Sequence, residues 1–543
     1  MLPPTGTCTA PPFSSLANCT LSKSQSQMAP AKIVLLSVLS TALLAATAVH
    51  EDGTSASRAK KPPRPQGDPY DAAWKNNLGE GVVIGVLDDG IDTGHPSFGD
   101  DGMPPPPAKW RGLCKYAGAA VCNNKLIGAR AFTRHQPPPG LSREGTHGTH
   151  ASSIAAGAFV RDVGGGAPGS VVSGVAPRAH LAFYQVCAAQ GCSRAPIMHA
   201  VESALADGVD VLSMSLGDVD GDAGFDVDPV VAATFSAVAR GVFVCAAAGN
   251  EGPTPGSVTN DAPWILTVGA ASSNHSTHST AVPSFSSREP SRSNGGVMKP
   301  DVVGPGVDIL AAAPRSARGP SFAPLSGTSM SAPHLSGVAA LIRSAHPAWS
   351  PAAIKSAITT TADTSVTDET GAPASHSAMG AGLVNPAKAM DPGLVYDISP
   401  EEYIPYLCGL GLADDQVNRI TFPAPAVSCA EMETTEAKDL NTASIMVALT
   451  EERPAVTVRR TVANVGAAGS VYRAEVGAPD GVTITVTPKE LRFEEMDQKV
   501  SFTLTVERSV GDRALLSGIL DARLAWVSEE HVVRSLLSIS ACF

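Results

Sequence analysis

The chain has 543 residues, of which 43% are hydrophobic and 17% are charged, and it contains 51 Gly and 44 Pro. This composition is typical of an ordered globular protein with many tight turns, and the length is sufficient for two or three domains. The formal net charge of −12 disfavours a phosphate-binding surface, so nucleic acid is not an expected partner.

The N-terminal region carries a targeting signal. From Met28 the chain has a lysine, a long apolar run and the small-residue sequence Ala46-Thr47-Ala48, which is the pattern of a secretory signal peptide. The alternative is a membrane anchor, because the apolar run approaches the lower length limit for a span. We favour cleavage and secretion, with no membrane association afterwards. The predicted segments are an upstream extension (1–27), a signal peptide (28–48) and a Pro-rich linker or prodomain remnant (49–73).

Secretion permits disulfides, and eight of the ten cysteines follow the predicted signal peptide. Two pairs each flank a short loop that a disulfide would close, although the sequence alone does not determine pairing. Cys245 lies in an apolar segment and is predicted to be a free, buried thiol. Asn274 begins an N-glycosylation sequence, so we expect a glycoprotein. The two pairs are Cys114 with Cys122 and Cys187 with Cys192.

Between residues 74 and 395, short apolar runs alternate with helical patterns. Apolar runs ended by turn residues predict buried parallel strands. The alternation predicts an α/β fold with helices on both faces of a parallel sheet. In such folds the functional residues lie at the carboxyl ends of the strands. The predicted strands are 81–90, 180–187, 209–217, 241–250 and 264–272, and the clearest helices are 193–208 and 229–241.

After residue 440 the apolar residues alternate at period two, with turns between the runs. This pattern predicts an antiparallel β-sandwich over 441–543. Residues 396–440 form a mixed connector that contains Cys408 and Cys429.

Asp88 ends the first predicted strand and is followed by Asp89-Gly90. A carboxylate there suits an acid at the edge of a cleft, although a turn or helix-capping Asp is the common alternative. Asp92-Thr93-Gly94 also matches the motif of aspartic proteases, which need a second such motif to share a proton. The chain has no second one, so that class is excluded.

His147 and His150 lie three residues apart in a Gly- and Ala-rich segment. The glutamate of the zinc motif H-E-x-x-H is absent, so we predict a proton-shuttling imidazole, no metal site and no cofactor. Asn250 follows an apolar strand, where its amide suits a developing oxyanion, although alone it would be an ordinary turn residue.

Ser329 lies in the stretch S-G-T-S-M-S-A-P-H, ahead of an apolar helical stripe. A serine becomes a strong nucleophile only when an imidazole removes its proton and a third group orients that imidazole. The chain order Asp88, His147, Ser329 is one of three known for this geometry. We place Ser329 at a helix N-terminus, where free N–H groups favour negative charge, and Pro333 in the first turn, where no donor is needed.

These motifs and the long runs around them resemble plant subtilisin-like serine proteases (subtilases) from Trp74 to the C-terminus. The resemblance implies a subtilisin-like catalytic domain over 74–395 and a fibronectin-III-like domain over 441–543. It also implies a secreted serine endopeptidase of the apoplast or cell wall that cleaves proteins or peptides through an acyl-enzyme. Matching runs include GVVIGVLDDGIDTGHPSF, HGTHASSIAAG, DGVDVLSMSLG, CAAAGNEGP, MKPDVVGPGVDILAA and LSGTSMSAPHLSGVAALI.

By position, the resemblance makes Asp88 the orienting acid, His147 the general base, Ser329 the nucleophile and Asn250 the oxyanion-hole side chain. It also implies two walls for an extended substrate, with affinity from main-chain hydrogen bonds and selectivity from side-chain pockets. The wall residues are Ser215, Leu216 and Gly217 on one side and Ala247, Ala248 and Gly249 on the other.

The chain departs from the family pattern at several positions. Asp89 replaces a threonine, and we expect a modest effect because adjacent strand residues point to opposite faces. Glu289 replaces a glycine, which threatens a turn that needs positive φ. The acidic segment 217–229 lacks the Gly and Glu of a calcium-binding EF-hand loop, so we interpret it as a solvated loop beside the groove that favours basic substrates.

The family's inhibitory prodomain and protease-associated insert are missing from the expected positions. Residues 49–73 are too few for a domain. The alternative function is therefore a catalytically silent, secreted scaffold that cannot mature.

Overall fold

The computed structural model describes most of the chain from residue 77 onwards. The predicted upstream extension, signal peptide and linker lie outside the described residues, as do Gly217 and most of the acidic segment 217–229. The described residues are 77–115, 122–132, 146–161, 163, 170–188, 191–216, 224–225, 228–274, 279–291, 293–316, 319–509 and 517–542.

The N-terminal part is built on a parallel sheet. Its strand order is β12-β11-β10-β9-β1-β6-β3-β2, with β13 on the free side of β11, and only β12 runs antiparallel to its neighbour. The remaining strands form small antiparallel pairs. The strands are β1 (Val83–Asp88), β2 (Cys114–Lys115), β3 (Leu126–Ala131), β4 (Val160–Arg161), β5 (Val171–Val172), β6 (His180–Gln185), β7 (Cys187–Ala188), β8 (Gly191–Cys192), β9 (Val211–Met214), β10 (Phe243–Ala247), β11 (Leu266–Asn274), β12 (Ser279–Ala281), β13 (Val302–Pro305), β14 (Ile309–Ser316) and β15 (Gly319–Leu325).

Helices cover both faces of this sheet, as the sequence predicts. Every residue of β1 is buried, and alternate residues enter opposite cores. Ile84 belongs to the same core as Leu335 of α4 on one face, and Leu87 belongs to the same core as Ile197 of α2 on the other. The α-helices are α1 (Thr146–Ala156), α2 (Arg194–Asp207), α3 (Pro229–Ala239), α4 (Thr328–Ala345), α5 (Pro351–Thr360), α6 (His376–Met379), α7 (Pro386–Ala389), α8 (Tyr403–Gly409) and α9 (Asp414–Thr421).

The C-terminal part is a β-sandwich of two sheets, β16-β18-β22-β20 and β17-β24-β23-β19-β21. The expectation of a purely antiparallel sandwich is wrong, because β17 pairs with β24 in parallel. The buried Trp526 ring meets Phe502 of the opposite sheet edge-on, with ring centroids 4.9 Å apart. The strands are β16 (Leu394–Val395), β17 (Ser444–Thr450), β18 (Ala455–Asn464), β19 (Ser470–Gly477), β20 (Val482–Thr487), β21 (Glu490–Phe493), β22 (Lys499–Arg508), β23 (Ser517–Val527) and β24 (Val532–Cys542).

The cysteines near loops are paired. Both predicted pairs form disulfides, a third disulfide joins Cys408 to Cys429 in the connector, and Cys245 is free and buried. The concern about Glu289 is wrong, because this residue is not among the non-glycine residues with positive φ. Within the described ranges, no helix combines the length and the apolar character needed to cross a membrane.

Candidate active site

The predicted site residues lie where strands end and helices begin. Asp88 is the last residue of β1, and Ser215 follows β9, which pairs with β1 in parallel. Asn250 follows β10, the next strand of the sheet. Because the carboxyl ends of parallel strands share one edge of a sheet, these side chains lie along one edge. The helices α1 and α4 bring His147 and Ser329 to it within their first two residues.

Asp88 and His147 form the acid–imidazole pair. His147 Nδ1 lies 2.8 Å from Asp88 Oδ1, and Asp88 is only 1% exposed. The buried carboxylate therefore holds the proton on Nδ1 and leaves Nε2 as the basic nitrogen. The charge of Asp88 raises the pKa of His147 to about 9, against the opposing effect of burial. The arrangement therefore stabilises the imidazolium that forms when this ring accepts a proton.

Glycine at position 148 permits the close approach of α1 to the end of β1. A Cβ atom there would lie 2.3 Å from the carbonyl oxygen of Gly90 and 2.8 Å from the Phe183 ring. Any larger residue would push the helix away from the strand end, and His147 would move with it.

The hydrogen bonds distinguish Ser329 from its neighbours. Ser331 and Ser336 are buried and donate to the carbonyls of Gly304 and Ala332, each at 3.0 Å. The Ser326 hydroxyl accepts the Asp308 N–H. Only Ser329 combines partial exposure with a place in the first turn of α4.

Ser329 and Ser215 contact each other twice. The Ser329 hydroxyl donates to the Ser215 carbonyl at 3.4 Å, and the Ser215 hydroxyl donates to the Ser329 carbonyl at 2.9 Å. The first bond is long, and hydrogen bonds of resting catalytic groups often tighten only when substrate binds.

The second bond explains how the helix tolerates Pro333. The expectation that Pro333 lies in the first turn is wrong, because α4 begins at Thr328 and Pro333 is its sixth residue. Proline has no N–H, so the carbonyl four residues earlier loses its helical donor. That carbonyl belongs to Ser329, and the Ser215 hydroxyl supplies the missing hydrogen bond.

The Asn250 amide is oriented by the start of α4. Its Oδ1 accepts the Thr328 N–H at 2.9 Å and the Thr328 hydroxyl at 3.1 Å. Gly327, with φ of 154°, provides the backbone conformation that places these donors. With Oδ1 occupied, the exposed amide presents Nδ2 as a donor.

Comparison with known proteins identifies the family of the chain. Residues 79–382 match the family model described as "Subtilase family", and residues 439–539 match "Fibronectin type-III domain". The chain belongs to the subtilase family. Subtilisin-like protease SBT1.2 of Arabidopsis thaliana is 32% identical over 86% of this chain and 82% of its own length. The corresponding values are 33%, 84% and 80% for SBT4.8 of Arabidopsis thaliana and 31%, 86% and 82% for SBT3 of Solanum lycopersicum.

The subtilase family establishes the enzyme class as a serine-type endopeptidase. Of the two candidate acids, Asp88 contacts His147 at 2.8 Å, whereas Asp92 pairs with Arg315 at 2.9 Å. His150 Nε2 donates to the Ala323 carbonyl at 2.9 Å, which is a structural contact. Across the described ranges, no group of three or more His, Cys, Asp or Glu could hold a metal ion.

Asn260 connects the two predicted substrate walls, and the sequence analysis missed it. Its Nδ2 donates to the carbonyls of Leu216 at 2.9 Å and Ala247 at 2.8 Å. Its φ is 54°, a conformation that asparagine tolerates better than most residues. The sequence signal was therefore a turn-forming Asn, with nothing to indicate which carbonyls it binds.

Asp89 departs from its expected orientation. Its Oδ1 accepts the Gly148 N–H at 2.9 Å, so the carboxylate faces the first turn of α1 and not away from it. The argument from alternating strand faces fails because regular strand geometry ends at Asp88. Asp89 raises the pKa of His147 by less than Asp88 does, and the modest effect on catalysis stays a prediction.

Proposed function

We propose that the chain is a secreted enzyme that hydrolyses peptide bonds through Asp88, His147 and Ser329. The observation that carries the proposal is the 2.8 Å contact between Asp88 and His147 at the sheet edge shared with the start of α4. The predicted signal peptide supports secretion, as do three disulfides within the described ranges, because such bonds persist in oxidising compartments.

In the proposed reaction, His147 Nε2 accepts the Ser329 hydroxyl proton while Oγ attacks the substrate carbonyl carbon. Asn250 Nδ2 and the Ser329 N–H donate to the oxyanion that forms. The tetrahedral intermediate then collapses, His147 gives its proton to the leaving amine, and the acyl group stays on Ser329. Water activated by His147 releases the acid and restores the hydroxyl.

We infer that an extended substrate lies between the walls at Ser215–Gly217 and Ala247–Gly249. The carbonyls of Ala247, Ala248 and Gly249 already accept hydrogen bonds from Asn260, Thr259 and Ser287. The carbonyls of Ser215 and Leu216 in the first wall likewise accept the Ser329 hydroxyl and the Asn260 amide, so a substrate N–H would pair with the second lone pair of such a carbonyl.

Labelling with a fluorophosphonate probe tests the proposal. The wild-type protein should be labelled, and Ser329→Ala should not. Ser326→Ala is the matched control, because that hydroxyl makes only an exposed loop contact, and it should be labelled normally. Folded wild-type protein that resists labelling would instead favour the silent scaffold, and labelling of Ser329→Ala would place the nucleophile elsewhere.

A further inference from the structure

Two consecutive carboxylates hold two consecutive residues of α1. Asp88 contacts the His147 ring, and Asp89 accepts the backbone N–H of Gly148 at 2.9 Å. Negative charge at this position also favours the N-terminus of the helix. Asp89 is thus placed to affect how His147 is presented, although it does not touch the ring.

The two oxygens of Asp88 have unequal partners. Oδ1 receives both His147 Nδ1 at 2.8 Å and the Asp89 N–H at 2.7 Å. Oδ2 is buried and has no donor among the described residues. A buried carboxylate oxygen without a donor is costly, so this atom calls for a proton or a hydrogen-bond donor nearby.

The Asp89 side chain is the neighbouring group that can supply that donor. Asp89 is the next residue along the chain, and its own N–H donates to Asp88 Oδ1 at 2.7 Å, so the two carboxyl groups are neighbours. Two ionised carboxylates at that range repel each other, whereas one shared proton converts the repulsion into a hydrogen bond. Burial, followed by the charge of Asp88, raises the pKa of Asp89 to about 6, while the Gly148 N–H and His147 act in the opposite direction.

We propose that Asp89 is a positioning residue of the triad that binds a titrating proton, donating it to Asp88 when protonated and adding charge beside His147 when ionised. In both states its Oδ1 holds the Gly148 N–H. The inference rests on the proposed function, because it concerns the same acid–imidazole pair.

The groups around Asp89 determine the sign of the effect. Asp88 faces it from the end of β1, His147 and the Gly148 N–H face it from α1, and no lysine or arginine is among the described influences. On its far side His147 influences His150, which in turn neighbours His334 of α4. Loss of the Asp89 proton therefore adds a negative charge whose ionisable neighbours among the described residues are Asp88 and His147, and His147 becomes more basic.

Asp89→Asn separates this role from simple helix capping. The amide keeps an oxygen for the Gly148 N–H and an N–H₂ for Asp88, but it cannot ionise. Asp89→Thr offers a second non-ionising donor, the residue type expected from the family pattern. Asp308→Asn is the matched control, because it removes one exposed carboxylate at a residue with φ of 53°, which asparagine tolerates.

The test is the pH titration of the His147 ring by NMR in a Ser329→Ala background, together with kcat/KM against pH in the active enzyme. Asp89→Asn and Asp89→Thr should each lower the His147 pKa by roughly 0.5 pH unit, which is the effect of removing one charge a few ångströms away in a water-like dielectric. On the acid side of the kcat/KM profile, activity should rise about threefold. Asp308→Asn should leave both curves unchanged.

The proposal is overturned if the His147 pKa of either Asp89 variant, folded as judged by an unchanged thermal midpoint, equals that of the parent within about 0.1 pH unit. It is also overturned if Asp308→Asn produces the same shift. If the Asp89 variants shift the His147 pKa as expected but Ser329→Ala leaves the activity unchanged, the coupling between Asp89 and His147 is supported. The proposed function is then the part that fails.

Discussion

Removing the Ser215 hydroxyl should disturb the nucleophile through the backbone of α4. Ser215 is 6% exposed, and its hydroxyl is the donor for the Ser329 carbonyl that Pro333 leaves without a helical partner. Leaving one buried acceptor unsatisfied costs about 1–3 kcal/mol. We therefore expect Ser215→Ala to destabilise the catalytic domain by about 2 kcal/mol and to lower kcat, because Ser329 moves with its own carbonyl.

A second substitution makes the explanation specific. Pro333→Ala restores a backbone N–H at the position that pairs with the Ser329 carbonyl. In the Ser215→Ala background it should therefore recover stability, and the two changes should couple by about 1 kcal/mol or more.

Thermal unfolding and kcat/KM of the wild type, Ser215→Ala, Pro333→Ala and the double variant measure this coupling. One kcal/mol corresponds to about 2–4 °C in domains of 150–250 residues, so the single Ser215→Ala change should be readily visible. Ser336→Ala is a useful control, because that hydroxyl donates to a carbonyl of the same helix at Ala332. Strict additivity of Ser215→Ala and Pro333→Ala, within about 0.3–0.5 kcal/mol, would refute the reasoning.

Three further outcomes are expected. Asn250→Ala should lower kcat by about 10²–10³ with little change in KM, the cost of losing one oxyanion donor in a subtilisin, a family relative; an equal loss in KM would indicate a substrate-binding role. Asn260→Ala should raise KM and lower the thermal midpoint, because two wall carbonyls lose their donor; unchanged kinetics would show that the walls do not need it. Finally, kcat/KM should rise with pH as His147 loses its proton, with the midpoint displaced upward from an ordinary histidine because Asp88 raises its pKa; a midpoint at or below about 6.5 would contradict this.

The parallel sheet could be predicted from the sequence because its strands are short apolar runs bounded by turns. The predicted segments 81–90 and 241–250 contain β1 and β10; Asp88 ends β1, and Asn250 follows β10. Such patterns are local, since one segment contains both the buried run and the turn residues that end it.

The β-sandwich was predicted less completely. Alternation at period two indicates a strand, but it does not indicate which strand pairs with it or in which direction. The parallel pairing of β17 with β24 joins residues about ninety positions apart, from Ser444 with Leu536 onwards. Similarly, β16 was assigned to the preceding domain, although Leu394 pairs with Asn464 of the sandwich. Pairing depends on tertiary packing, which a local pattern does not contain.

In the candidate active site too, local features could be predicted from the sequence and tertiary contacts could not. The side chains of the candidate triad could be proposed from the sequence because the chemistry requires one residue type at each position. The motif around each also meets a local backbone requirement, such as the close approach at Gly148. The contacts that hold them in place run through carbonyl and amide groups, which every residue possesses. Nothing in a serine at position 215 indicates that its hydroxyl replaces the donor missing at Pro333. Substitutions at Ser215 and Asp89 are therefore the ones for which the structure and the sequence motifs make different predictions, and their measured effects decide how far the triad depends on its surroundings.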